Sequence, residues 1–199
     1  MSPTSLGGWG YVVLQGPSAT LIDVPHYSEM LAEEVRKLAP GGVGHILLTH
    51  DDWVQLGDHE LWKRAFPGAV RVVHSTDSTH GPLEVELSGS GPWDVAGFRV
   101  DLVPGHSKGS VFYSSSELSA VFTGDSIALW GDQPTGFGFR CHFNAAMQAE
   151  SLRGYAQITP FCKALLPSHG LPKYFKDEQE RISFFNAAAA GLDGGNGSS

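Results

Sequence analysis

Four apolar runs in this chain each end on a side chain able to ligate a metal: ILLTH on His50, DLVPGH on His106, AVFTGD on Asp125 and ALLPSH on His169. Imidazole and carboxylate together are the donor set that suits zinc, iron or manganese. A single histidine after a strand is ordinarily a surface or satisfied residue. The repetition of one construction points instead to ligands far apart in sequence that meet along one sheet edge. Gly105, Gly109, Gly124 and Gly170 flank them, and glycine permits the tight turns and close backbone approach that such an edge requires.

The first run continues as HILLTHDDWVQLGDHELW, residues 45–62, where a buried strand breaks into His50, Asp51, Asp52, Asp58 and His59. Asp52 and Asp58 are candidates to orient an attacking hydroxide, and Asp52 and His59 are candidate ligands. Asp58 also stands where the helix HELWKRAF needs an N-cap, which would leave His59 in an exposed first turn. The two readings of the Asp58-His59 pair stay open at this level.

The elements that must position these residues can be read from periodicity. WGYVVLQG and ATLIDVP, separated by GPS, form a hairpin signal. In SEMLAEEVRKLA, Ser28 is a plausible N-cap, and Met30, Leu31, Val35 and Leu38 fall at helical spacing. The strands HILLTH and VRVVHS bracket the helix DHELWKRAF. From about residue 83, short strands separated by Gly, Pro and Ser take over, followed by a glycine-rich insert, WGDQPTGFGFRCHF. A helix over NAAMQAESLRGYAQI, the strand KALLPSHG and a last amphipathic helix over about residues 177–190 complete the pattern. Residues 1–190 are expected to form a single α/β (α+β) domain, with 191–199, too polar and glycine-rich to pack, as a disordered tail.

Composition narrows the function classes. The chain has 199 residues and a formal net charge of −8, so it repels phosphate backbones, and a nucleic-acid role is not expected. No apolar run reaches the ~20 residues of a membrane helix. The N-terminal MSPTSLGGWG lacks the basic and apolar regions of a secretory signal. The expected location is therefore the cytoplasm, or the chloroplast stroma for a plant or algal source with a transit peptide removed. Cys141 and Cys162 make neither a disulfide framework nor a CxxC site. A small-molecule substrate is the expected partner, and a homodimer is compatible with the chain.

The runs ILLTH, VPGHSKGS, VFTGDS and LLPSHG resemble the metallo-β-lactamase superfamily, over about residues 8–172. The resemblance implies an αββα sandwich, two mixed sheets flanked by helices, with one or two metals at the sheet edge. The nearest group is from cyanobacteria and plants, some with a fused ferredoxin domain; this chain carries no ferredoxin-type cysteine set. The superfamily's first motif, His-x-His-x-Asp-His, departs here. From His50 the chain reads Asp51, Asp52, Trp53, Val54, Gln55. In that register one site keeps His50, Asp52, His106 and Asp125, while the other keeps Asp125 and His169, unless His59 supplies the missing ligand. Asp23 matches a position that supports the ligand loop from behind. Ser107 and Lys108, beside His106, are candidates to bind an anionic substrate.

The resemblance implies a metal-dependent hydrolase of a small ester, thioester or lactone, with at most one divalent ion, zinc or iron, or manganese. Two alternatives stand beside it. His50, His106 and Asp125 match the two-histidine, one-carboxylate set of mononuclear non-haem iron redox enzymes, and the altered first motif also admits a catalytically inactive binding or assembly module.

Overall fold

The computed structural model describes residues 8–50, 58–78, 81, 83–130, 133–135, 143–158 and 162–194. The strands are β1 (Tyr11–Gln15), β2 (Ser18–Ile22), β3 (Val43–Leu47), β4 (Val70–His74), β5 (Val85–Leu87), β6 (Trp93–Val95), β7 (Phe98–Leu102), β8 (Val111–Ser115), β9 (Ala120–Trp130), β10 (Gln133–Thr135), β11 (Ala164–His169) and β12 (Lys173–Tyr174). The helices among these residues are α1 (Glu29–Leu38), α2 (His59–Ala65), α3 (Ala145–Ala156) and α4 (Glu178–Gly194).

The strands form two mixed sheets. One has the order β1-β2-β3-β4-β5, antiparallel between β1 and β2 and parallel beyond. The other runs β12-β11-β9-β8-β7-β6, with β10 on β9 and a parallel pair between β11 and β9. Side-chain alternation sorts each strand into two faces. Ile22, Leu47 and Val72 pack against Val100, Val111, Tyr113 and Phe122 between the sheets. Their neighbours Leu21, Ile46 and Val73 point outward onto Ala32, Val35, Trp62 and Phe66 of the α1/α2 layer. On the far side, Phe112, Val121 and Leu165 meet Leu152, Tyr155, Phe185 and Ala188 of α3 and α4. Three apolar interfaces thus separate four layers, the αββα sandwich that the motifs implied.

Local signals explain the elements. Gly16, at φ +64°, makes the β1–β2 turn. Ser28 Oγ accepts the Leu31 N–H and caps α1. The buried face of α1 is narrower than its spacing suggested: Ala32 and Val35 are buried, whereas Met30 and Leu38 are 71% and 55% exposed. The buried Arg181 of α4 donates to the carbonyls of Ala156 and Ile158, closing the C-terminal end of α3. Two sequence boundaries need correction. Helix α4 continues to Gly194, so Gly191–Gly194, expected in the tail, are helical; Leu192 is buried and extends the apolar face of Phe185, Ala188 and Ala189 by another turn. Asp125 does not end a strand but lies inside the 11-residue β9.

Candidate metal centre

The strand-end residues converge. Donor atoms of His50, His106 and Asp125 all lie within 4.8 Å of one another, and all three residues are buried. His50 Nε2 stands 3.8 Å from Asp125 Oδ2, and the His50 and His106 rings meet edge to face, with centroids 4.7 Å apart. His169, the last residue of β11, places Nε2 3.3 Å from Asp125 Oδ2. One sheet thus contributes His50, just beyond β3, and the other contributes His106, Asp125 and His169.

Asp125 reaches the cluster because β9 is irregular next to it. Gly124 sits at φ +55°, and the register against β11 shifts between Leu166 and Pro167 and again before His169. A Cβ on Gly124 would lie 2.1 Å from Thr49 Oγ1 and 3.2 Å from His50 Nδ1. Glycine here lets the two sheets approach closely enough for their donors to share one point.

A buried relay fixes the His50 ring. Asp23 Oδ1 accepts the Thr49 N–H at 2.9 Å, and Thr49 Oγ1 lies 2.9 Å from Asp23 Oδ2 and 2.8 Å from His50 Nδ1. An ionised carboxylate only accepts, so the Thr49 hydroxyl proton goes to Asp23 and His50 Nδ1–H donates to Thr49 Oγ1. The lone pair is then on Nε2. Burial is the largest influence on the Asp23 carboxyl and raises it above its usual range, with His50 and the Thr49 bonds opposing. His50 Nε2 is itself buried without a hydrogen-bond partner among the described residues. A buried imidazole nitrogen of fixed tautomer beside a second imidazole and a carboxylate is the donor set a divalent cation takes, so the residues fit a metal. Burial disfavours the charged form of Asp125, but the His169 hydrogen bond and the nearby His50, His169 and His106 outweigh it and hold this carboxyl below its usual range.

Asp77, unremarked in the sequence, anchors the His106 loop. It closes the 3-10 turn Ser75–Asp77 after β4. Its Oδ1 accepts the Gly109 N–H at 2.7 Å, and its Oδ2 accepts the Ser107 hydroxyl. One carboxylate thereby grips both sides of Lys108. The signal that could have revealed it is Gly109, where a Cβ would meet Asp77 Cγ at 2.8 Å. Gly105, at φ +141°, lets the same loop pass over Gln148, which a Cβ would strike at 2.2 Å.

The Asp58-His59 pair departs from the capping reading. The Asp58 side chain does not cap α2. It accepts the Tyr27 N–H at 2.5 Å and lies 3.2 Å from His26 Nδ1. His59 is buried rather than exposed, with Nδ1 3.0 Å from an Arg71 guanidinium nitrogen. Neither belongs to the three-residue cluster. Asp52, with Trp53, Val54 and Gln55, lies outside the described residues, as do His80, Phe137, Phe139, Arg140, Cys141 and His142. Lys108 is exposed, its Nζ 5.2 Å from the Phe143 ring centre. His74 is structural, bonding Thr76 and the Gly89 carbonyl. Burial pushes the Cys162 thiol up to about 11, unfavourable for a nucleophile. No helix among the described residues is long and apolar enough to cross a membrane.

Comparison with solved structures identifies the fold. The fold superposes on VMB-1 with a TM-score of 0.76 at 17% identity, covering 96% of this chain and 86% of that one. The metallo-beta-lactamase from Pontibacter korlensis gives 0.74 at 18% identity, over 94% and 87%. TTHA1623, solved in a di-iron-bound form, gives 0.70 at 21%, over 87% and 93%. The chain therefore has the metallo-β-lactamase fold. In sequence it is 36% identical over 121 residues to the hydroxyacylglutathione hydrolase of Roseobacter denitrificans, a match covering 56% of this chain and 44% of that protein. The chain thus spans less than half the length of that curated relative. No family model matches the chain.

Proposed function

We propose that this protein is a metal-dependent hydrolase of a small thioester, ester or lactone, acting with one divalent ion held by His50, His106 and Asp125. The observation that carries the reading is the buried His50 Nε2, fixed by Thr49 and Asp23, within 4.8 Å of donors from His106 and Asp125. The likeness to a hydroxyacylglutathione hydrolase favours a thioester. A zinc, iron or manganese ion supplies Lewis acidity that activates water near neutral pH and polarises a carbonyl. Around it the chain's own groups act as supports. Asp23 and Thr49 set the His50 tautomer, Asp77 holds the His106 loop, and His169 orients the Asp125 carboxylate. Asp52, two residues past His50 in sequence, is the candidate to accept the proton of the attacking water.

The test is hydrolysis of hydroxyacyl-glutathione thioesters and simple lactones by wild type and His106→Ala, each analysed for bound metal. Expected is turnover that depends on added metal and is lost in His106→Ala while its circular dichroism spectrum stays unchanged. A wild type that takes up no metal and matches the variant in inactivity and stability would hand the assignment to a binding or assembly module. The set of two histidines and one carboxylate also favours a second reading, mononuclear iron redox chemistry. Oxygen uptake by the iron-loaded protein with thiol substrates, without hydrolysis, would select it.

A further inference from the structure

We infer that Arg71 withholds His59 from the metal by fixing its tautomer; the inference rests on the metal reading above. Arg71, on β4, is buried at 7% exposure. Glu84 grips its guanidinium from two sides, Nε to Oε2 at 2.9 Å and Nη2 to Oε1 at 3.0 Å, and Glu60 takes Nη1. The same Nη1 lies 3.0 Å from His59 Nδ1. A guanidinium carries only donors and keeps its protons at any physiological pH. The hydrogen bonds that Arg71 donates to Glu84 raise its pKa further, against the opposing effect of burial. The contact is therefore a hydrogen bond only if His59 Nδ1 accepts.

That fixes the His59 tautomer. With Nδ1 accepting, the neutral ring carries its proton on Nε2, so one nitrogen is occupied by Arg71 and the other is a donor. Neither offers a lone pair to a cation. The arrangement at His50 is the opposite: there the second-rank bond is accepted by Thr49 Oγ1, and Nε2 keeps its lone pair. His50 and His59 are thus set in opposite tautomers by their partners, one for ligation and one against it.

The experiment is long-range proton–nitrogen NMR of the full chain labelled with ¹⁵N-histidine, titrated with zinc alone. Before zinc, His59 should show a protonated Nε2 and an accepting Nδ1. On zinc addition, the His50 and His106 nitrogens should move to metal-bound shifts while the His59 pattern stays unchanged. A His59 nitrogen that takes a metal-bound shift overturns the inference and leaves the metal reading intact. Silence from His50 and His106 instead fails the metal reading, and the inference with it. In Arg71→Leu the Nδ1–H tautomer should appear at His59; a folded variant with the wild-type tautomer would also overturn the inference. Arg71→Gln, whose amide can still donate, should retain the wild-type pattern.

Discussion

Gly124 and Thr49 touch across the two sheets: a Cβ built on Gly124 would fall 2.1 Å from Thr49 Oγ1, the atom that holds the His50 ring. Backbone strain, sheet packing and ligand orientation therefore meet at one position. Gly124→Ala should force Thr49 aside and also place an alanine at φ +55°. The expected cost is about 1–3 kcal/mol of stability, accompanied by loss of bound metal. Thermal melts with metal analysis would check it. A variant that melts like wild type and keeps its metal would remove Gly124 from the account of the site.

The hydroxyl of Thr49 should matter more to the metal than to the fold. Thr49→Val is nearly isosteric but leaves His50 Nδ1 without its acceptor, so either nitrogen can carry the proton. Metal affinity should fall by roughly 10–100-fold, and Thr49→Ser should restore it. A competition titration with a zinc-binding dye measures the change directly. Equal affinity in all three proteins would mean that His50 takes its orientation from elsewhere.

Asp77 is predicted to carry both loop stability and ligand placement. Asp77→Ala leaves the buried Gly109 N–H and the Ser107 hydroxyl without their acceptor. That should cost about 1–3 kcal/mol. The freed loop should also hold His106 less well, lowering metal affinity beyond the loss seen in Ser107→Ala, which removes only one of the two bonds. Urea unfolding in the metal-free state separates the stability effect from the metal effect.

Much of this was legible in the sequence, for identifiable reasons. The apolar runs ending on His50, His106 and His169 are local patterns, and the edge where they meet follows from strand direction. Asp125 was found for a partly mistaken reason. The glycine before it reads as the end of a strand, but Ile127, Ala128 and Leu129 are all buried and carry β9 onward past the irregularity. The role of His59 could not be read at all. Its partner Arg71 lies on β4 and is held by Glu84, between β4 and β5, and these contacts exist only once the strands pair. Asp77 was missed because the groups it binds lie about thirty residues further along the chain. The extension of α4 was missed because the glycine at 191 masks the helical spacing that Leu192 keeps with Phe185, Ala188 and Ala189.

Glu84 sets an acid limit on the arrangement around His59. The Arg71 side chain and backbone N–H both donate to its carboxylate, and with the guanidinium charge they hold its pKa at about 2, against an ordinary 4.5, with burial opposing. Between those two values the unfolded chain binds a proton at this site that the folded chain does not. The depressed folded pKa therefore contributes stability that is complete above about 4.5 and is lost as the pH falls toward about 2. The Glu84 side chain is 33% exposed, so solvent screening trims the effect. Urea midpoints of the wild type should fall across this window, and Glu84→Gln should be less stable at neutral pH with a flatter dependence below about pH 5. Loosening Arg71 by this route should also loosen His59, so the variant's NMR spectrum should show a mixture of His59 tautomers at neutral pH. An acid profile unchanged by Glu84→Gln would assign the sensitivity to other carboxylates and dissociate Glu84 from the Arg71–His59 contact.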